Sequence, residues 1–252
     1  MGSFSYGYAK INEEFYEEVL VEHMVNELGW THLYGPDVDR TDDSYRDVFL
    51  PEVLPSALRR INPSLPQQAI REAVAKISSN EAGDLAKRNE LFSDYLQNGV
   101  EVHFFDGKEE RDDIVYLLDF DNPANNDFHV VNQWTFVEYS EKRPDVIAFV
   151  NGMPLVLFEL KSPSREETDA SDAYLQLRNY MQQIPSLFVP NAFCVMSDMS
   201  ETKVGTITAD EDRFIAWKSS DGDYSQTSIA NWMTMLDGMM RKDRLLDIVR
   251  NF

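Results

Sequence analysis

Residues 143–161, RPDVIAFVNGMPLVLFELK, constrain this chain more than any other stretch. Two runs rich in β-branched and aromatic residues flank Asn151-Gly152, a pair suited to a tight hairpin turn. Asp145 opens the first run, and Glu159 and Lys161 close the second. Side chains alternate across a strand, so Glu159 and Lys161 share one face with Leu157, while Phe158 and Leu160 point to the other. Whether Asp145 joins them depends on the turn. A two-residue Asn-Gly loop pairs Asp145 with Phe158 and sends its carboxylate to the wrong face. A three-residue loop, Val150-Asn151-Gly152 with Gly152 left-handed, pairs Asp145 with Leu157, leaving Asp145 and Glu159 diagonal neighbours about 7–8 Å apart. A three-residue or bulged turn is therefore expected. A plain two-residue turn without a compensating bulge would remove the site.

Two carboxylates and a lysine on one face suit phosphodiester hydrolysis. A hard cation such as Mg²⁺ is held by one or two carboxylates, with waters and phosphate oxygens completing its shell. A lysine beside them orients the attacking water and stabilises developing charge. Taken alone, Glu-x-Lys on a strand more often marks a solvated edge. Pro144-Asp145 just before an apolar strand strengthens the catalytic reading, and so does a third element. In DASDAYLQLRNYMQQI, Gln176 and Tyr180 are four apart and share one helical face. Gln176 is expected at the metal cluster and Tyr180 towards DNA, with ordinary packing as the competing reading for Tyr180.

The rest of the chain supplies an α/β frame. In EEFYEEVLVEHMVNELGW, Leu20, Val21, Met24, Val25 and Leu28 recur at helical spacing and Gly29 stops the helix. Glu17 lies one turn before Val21 on that apolar stripe, where a carboxylate is costly unless paired or liganding; a frayed first turn is the alternative. Residues 51–98 read as a helical layer cut by Pro55, Pro63 and Pro66, with pieces near 51–60, 66–79 and 82–97. The period then shifts towards two in VEVHFF, IVYLLDF, FHVVNQWTFVEY, DVIAFV and PLVLFELK. A helix at 168–183 and a strand at 192–197 follow, and KVGTITA and RFIAWKS read as two further short strands. The tail ANWMTMLDGMMRKDRLLDIVRNF is helical, with a break expected at Gly238. Its last apolar residues carry no stop signal, so the chain is expected to continue. Residues 1–218 are read as one domain and 226–252 as a helical segment leading out of it.

Composition limits how this chain meets nucleic acid. The net charge is -21, whereas a protein that grips phosphates by itself usually presents a basic face. Weak DNA binding by the chain alone is expected, with partners or a local patch making up the difference. Lys142, Arg143, Arg165, Arg178 and Lys203 are the patch candidates, each individually more consistent with solvated surface charge. The lone Cys194, inside the apolar run AFCVM, reads as a small buried hydrophobe in a reducing, cytoplasmic setting. No apolar run is long enough to span a bilayer, and the first residues lack a secretion signal.

With these pieces assembled, the chain resembles the N-terminal nuclease region of the restriction (motor) subunit of type I restriction–modification enzymes. The resemblance rests on RPDVIAFVNGMPLVLFELKSP, on the A-x-x-Q-x-x-x-Y helix after it, and on MSDMSETKVGTITADEDRFIAWK. It extends back through FDNPANNDFHVVNQWTF, NELFSDYLQNGVEV and EEVLVEHMVNELGW, and forward to LLDIVRNF. It implies a PD-(D/E)xK restriction-endonuclease-like core, a mixed sheet flanked by helices with additional helices, and a requirement for Mg²⁺. It also implies that Asp145, Glu159 and Lys161 form the catalytic triad, with Asp145 and Glu159 on the metal. Gln176 and Tyr180 match the family's Q-x-x-x-Y motif, and Glu17 resembles a first-helix acid of related nucleases. The expected partners are double-stranded DNA, the methyltransferase and specificity subunits, and helicase-like domains further along the same polypeptide. No G-x-x-x-x-G-K-[ST] phosphate loop occurs here, so ATP is expected to act only in the full-length subunit. A stand-alone Mg²⁺ nuclease and a catalytically silent docking fold are the competing readings.

Overall fold

The computed structural model describes residues 13–79, 83–161, 170–198, 201–223 and 232–251. At its centre is a six-stranded mixed sheet of order β1-β4-β7-β8-β9-β10. Its strands are β1 (Thr31–Tyr34), β4 (Phe128–Asn132), β7 (Val146–Val150), β8 (Met153–Leu160), β9 (Phe193–Ser197) and β10 (Thr202–Gly205). The β1/β4 and β8/β9 pairs are parallel, and the others are antiparallel. Every residue of β7 and β8 is buried, as befits the middle of a sheet covered on both faces.

The two faces have separate cores. On one side, Val146, Ala148, Val156 and Phe158 pack with α1 (Glu13–Asn26) and the helical layer α2 (Val53–Ile61), α3 (Gln67–Ser78) and α4 (Leu85–Asn98). The layer comes within a few residues of the expected helices at 51–60, 66–79 and 82–97. A small antiparallel pair, β2 (Val100–Phe105) and β3 (Glu110–Val115), joins the same side. On the other side, Ile147, Phe149, Leu157 and Met196 pack under α5 (Ala170–Gln183). That helix makes the connection between parallel β8 and β9, which an antiparallel turn cannot make.

The tail is part of the first core. From α6 (Trp232–Met239), α7 (Lys242–Asn251) and the bend between them, Leu236, Met240, Leu245 and Leu246 join the α1 cluster. The Trp30 indole donates to the Met240 carbonyl at 2.9 Å, and His23 meets Asp237 at 2.7 Å. The expected break at Gly238 falls elsewhere: Gly238 is helical and the chain bends at 240–241. Its role is clearance, because a Cβ there would intrude on the Trp217 indole.

Other departures are at strand ends. Of IVYLLDF only Ile114 and Val115 are in β3, which starts earlier, at Glu110. FHVVNQWTFVEY divides into β4 and β5 (Phe136–Val137), and β5 pairs with β6 (Glu141–Lys142). RFIAWKS forms no strand; Ile215 makes one isolated bridge with Val204. The edge strand Thr31–Tyr34 was not expected at all, since its four residues are mostly exposed and show no buried alternation. Among the described residues, no helix is long and apolar enough to cross a membrane.

Candidate active site

The hairpin of β7 and β8 decides whether a site exists. Asn151 (φ 51) and Gly152 (φ 79) are both left-handed, which is the backbone of a two-residue type I′ turn. Val150 accordingly pairs with Met153 and Phe149 with Pro154. The expected three-residue loop is therefore not formed. The bulge that was its alternative is present: Ala148 pairs with Val156, leaving Leu155 as the extra residue of β8. Leu155 and Val156 are successive residues buried in the same core cluster, the local break in alternation that a bulge produces. From there the register runs Ile147↔Leu157 and Val146↔Phe158, so the next pair along is Asp145 and Glu159. The expected pairing of Asp145 with Leu157 is thus corrected to a direct opposition with Glu159. Both carboxylates lie on the α5 side, with Ile147 and Leu157.

The turn is held from outside. Asn151 donates through Nδ2 to the Leu117 carbonyl at 2.9 Å and to Asn126 Oδ1 at 2.9 Å, and its own Oδ1 accepts from the Asp127 amide at 2.8 Å. The Gly152 carbonyl accepts from the Leu50 amide at 2.9 Å. A Cβ on Gly152 would stand 2.9 Å from the Leu54 nitrogen, so only glycine gives both the left-handed backbone and the clearance.

At the open end of the hairpin the reactive groups meet. Asp145 Oδ2 accepts from the Leu160 amide at 2.7 Å. Glu159 is 2 % exposed, and its Oε1 lies 2.6 Å from the Lys161 ammonium, which keeps partial access to solvent. The Lys161 amide donates to the Ser197 carbonyl at 2.8 Å, so β9 fixes the lysine's backbone. Burial first, then the adjacent Glu159 carboxylate, raises Asp145 well above the usual carboxylate range. Glu17 adds to the same effect, and the Leu160 amide and Lys161 oppose it.

Tyr180 and Gln176 come to this cluster from α5. The Tyr180 hydroxyl donates to the Arg143 carbonyl at 3.5 Å and is influenced by Glu159 and Gln176 nearby. Burial, then the Glu159 charge, pushes that hydroxyl far above the ordinary phenol range, so it stays a proton donor. Of the two readings of Tyr180, the structure agrees with packing: the residue is 4 % exposed, on the same side of the sheet as the carboxylates. Gln176 is partly buried beside it.

Glu17 is buried, within the body of α1 rather than in a frayed turn, and accepts from Gln133 Nε2 at 3.0 Å. Gln133 is a member of this site that the sequence did not reveal. Asn132 pairs with Val146, so Gln133, the residue directly after β4, comes at the level of Asp145. Gln133, Asp145 and Glu159 thus stand in a row across three strand ends. A second unforeseen support is a buried hydroxyl chain from Tyr16 through Ser197 to Thr202, with contacts of 2.5 and 2.7 Å. It fastens α1 to β9 next to the Lys161 backbone. The one visible hint was a run of polar residues following the apolar AFCVM.

Of the basic-patch candidates, Lys142 and Arg143 lie just before Asp145, and Arg143 is exposed. Arg178 donates to the Ile207 carbonyl at 2.9 Å and Lys203 pairs with Glu201 at 2.8 Å, both away from the carboxylates. Arg165 lies outside the described residues. Cys194 is fully buried and its thiol is pushed far up by desolvation, so it behaves as a small hydrophobe.

The donor set fits a hard divalent cation held by Asp145 and Glu159. Two facing carboxylates, one of which resists ionisation beside the other, gain from a shared positive charge. A lysine at the rim can meet an anion that approaches the pair.

Comparison with known proteins follows the same lines. The family model described as "Type I restriction enzyme R protein N terminus" matches residues 10–213. The type I restriction enzyme HindI endonuclease subunit of Haemophilus influenzae is 34 % identical over 252 residues, covering 96 % of this chain and 24 % of that protein. A putative type I restriction enzyme MjaIXP endonuclease subunit of Methanocaldococcus jannaschii is 31 % identical over 268 residues, covering 97 % of this chain and 26 % of the relative. The type I restriction enzyme EcoprrI endonuclease subunit of Escherichia coli is 27 % identical over 179 residues, or 68 % of this chain. The chain spans about a quarter of the length of the first two relatives.

Proposed function

This chain belongs to the family of type I restriction enzyme R protein N-termini, and on that premise we propose that it is the DNA-cutting region of such a subunit. The reaction is hydrolysis of phosphodiester bonds in double-stranded DNA, without choice of sequence by this region. The observation that carries the reading is the bulge at Leu155, which brings Asp145 opposite Glu159 with Lys161 at the rim.

Each residue has a distinct task. Asp145 and Glu159 would hold Mg²⁺, which when bound supplies Lewis acidity and a more acidic water. Lys161, beside Glu159, orients the attacking water and stabilises negative charge as it builds on the phosphate. Tyr180, buried and kept protonated beside Glu159, acts with Gln176 to keep that carboxylate in one orientation. Asp145 is held the same way by the Leu160 amide.

The charge of -21 shapes the partnership. An acidic domain gains little from counterion release, so DNA must be delivered to it. We assign that delivery to helicase-like motor domains of the full-length subunit, driven by ATP, and sequence recognition to companion methyltransferase and specificity subunits in the cytoplasm. The test uses the full-length subunit assembled with those partners, ATP, Mg²⁺ and plasmid. Lys161→Ala and Asp145→Ala should each lower cleavage by about 10²–10³-fold or more, while DNA-stimulated ATP hydrolysis continues. Cleavage at the parent rate by Asp145→Ala would leave the fold as a docking surface only.

A further inference from the structure

We propose that the outer edge of β3 is a docking site for a partner polypeptide: an extended segment that adds antiparallel to β3 and sets lysine or arginine against Glu110 and Asp112.

The β2–β3 pair has two long edges, and one of them is closed. The His103 amide on β2 donates to the Glu72 carboxylate at 2.8 Å, and the Glu101 carbonyl accepts from the Lys76 ammonium at 2.6 Å. Glu72 and Lys76 belong to α3, so that helix covers the β2 edge. The same two bonds fix the ladder. Residues of an antiparallel strand alternate between facing their partner and facing away. Glu101 and His103 face away from β3, and they stand opposite Ile114 and Asp112. Glu110, Asp112 and Ile114 therefore turn their amides and carbonyls away from β2. Among the described residues, the Ile114 amide alone of these six groups has a partner, the neighbouring Asp113 carboxylate at 2.8 Å. The strand is exposed from Glu110 to Ile114.

An open edge can recruit a strand through its main chain, and side chains decide which strand. Glu110, Asp112 and Ile114 share one face, so the edge offers acid, acid and apolar at alternate positions, with Ile114 38 % exposed. Arg111 does not offset the acids, because it is already paired with Asp106 at 2.6 Å and Glu109 at 3.3 Å. Asp112 meets His103 across the hairpin through Oδ1 at 2.5 Å, and its Oδ2 has no partner among the described residues. A second copy of this edge, fully overlapped, would bring acid against acid, and DNA phosphates would meet the same repulsion. A basic strand gains at both acidic positions.

The test uses the purified chain and capped, dye-labelled peptides. The first contains Val-Thr-Lys-Thr-Lys, whose valine and lysines would meet Ile114, Asp112 and Glu110. Fluorescence anisotropy should show saturable binding, with amide hydrogen exchange slowed at Glu110 and Asp112. The same peptide methylated on the main-chain nitrogens of both lysines keeps its charge but lacks those donors, and should bind at least about ten-fold more weakly. Glu110→Lys combined with Asp112→Lys should weaken the first peptide by about ten-fold. A peptide with glutamate in place of lysine should bind that variant better than it binds the parent. No saturable binding to the parent, equal binding of the methylated peptide, or indifference to the charge reversal would overturn the proposal. Slowed exchange at the same amides in a dimer of the parent, or with duplex DNA alone, would overturn it too.

Discussion

At the scale of single residues, the site stores unfavourable interactions that substitution can release. Asp145 is pushed up from its ordinary carboxylate value of 3.8 by burial and by the facing Glu159. A carboxyl raised in the folded state contributes stability in its protonated form. That contribution is complete below the unfolded value and is lost as pH rises through the folded one. At neutral pH and in chelator, an ionisable carboxyl at Asp145 therefore lowers stability. Asp145→Asn, which keeps an acceptor for the Leu160 amide, should raise Tm by at least about 2–4 °C, the shift that 1 kcal/mol makes in a domain of this size. The gain should shrink as pH is lowered through the acid range, and the variant should require more Mg²⁺ for any residual cleavage. A scanning-calorimetry series across pH in chelator checks both signs; a lower Tm at neutral pH would contradict them. Asp145, Glu159 and Lys161 were legible because strand alternation and carboxylate chemistry are local properties. Gln133 was not, because its meaning comes from a left-handed backbone and from Glu17, 116 positions away.

At the scale of elements, the β7–β8 hairpin shows what a sequence can and cannot state. Asn151-Gly152 announced a tight turn, and the chemistry demanded that Asp145 and Glu159 share a face. Together these required an irregularity. Nothing local placed it at Leu155 rather than in the turn itself, because Pro154-Leu155-Val156 is apolar throughout and any of its residues could be the extra one. The choice is made by contacts from other elements. Leu50 and Leu54 lie against the turn, and the Leu155 carbonyl accepts from the Ala192 amide at 2.7 Å. Gly238 teaches the same point in the opposite sense. Read locally it was a helix break, whereas in the fold it is the clearance that lets Trp217 pass α6. In an exposed helix Gly→Ala stabilises by about 1 kcal/mol. Here the sign should reverse, with Gly238→Ala costing about 1–3 kcal/mol through overpacking. The urea midpoint of the variant decides between the two.

At the scale of the whole molecule, α/β architecture was readable from the switch between helical and strand periods, but the edges of the sheet were not. Strand β1 is short, exposed and parallel to β4, so its pairing depends on residues about a hundred positions along. The two cores explain why the site sits where it does. The α1 side carries the bulk of the helices, including α6 and α7, and the α5 side carries one helix whose Gln176 and Tyr180 reach the strand ends. The carboxylates open between them, at the end of the sheet where α1 and α5 both arrive. A chain so acidic has little general attraction for DNA, and under the proposed function a cation in that opening would be its claim on a phosphate. The most direct measurement is anomalous scattering from a crystal of this chain soaked in Mn²⁺. The account predicts a peak bounded by the carboxylates of Asp145 and Glu159; a soaked crystal with no peak there, or with its strongest peak elsewhere, would contradict it.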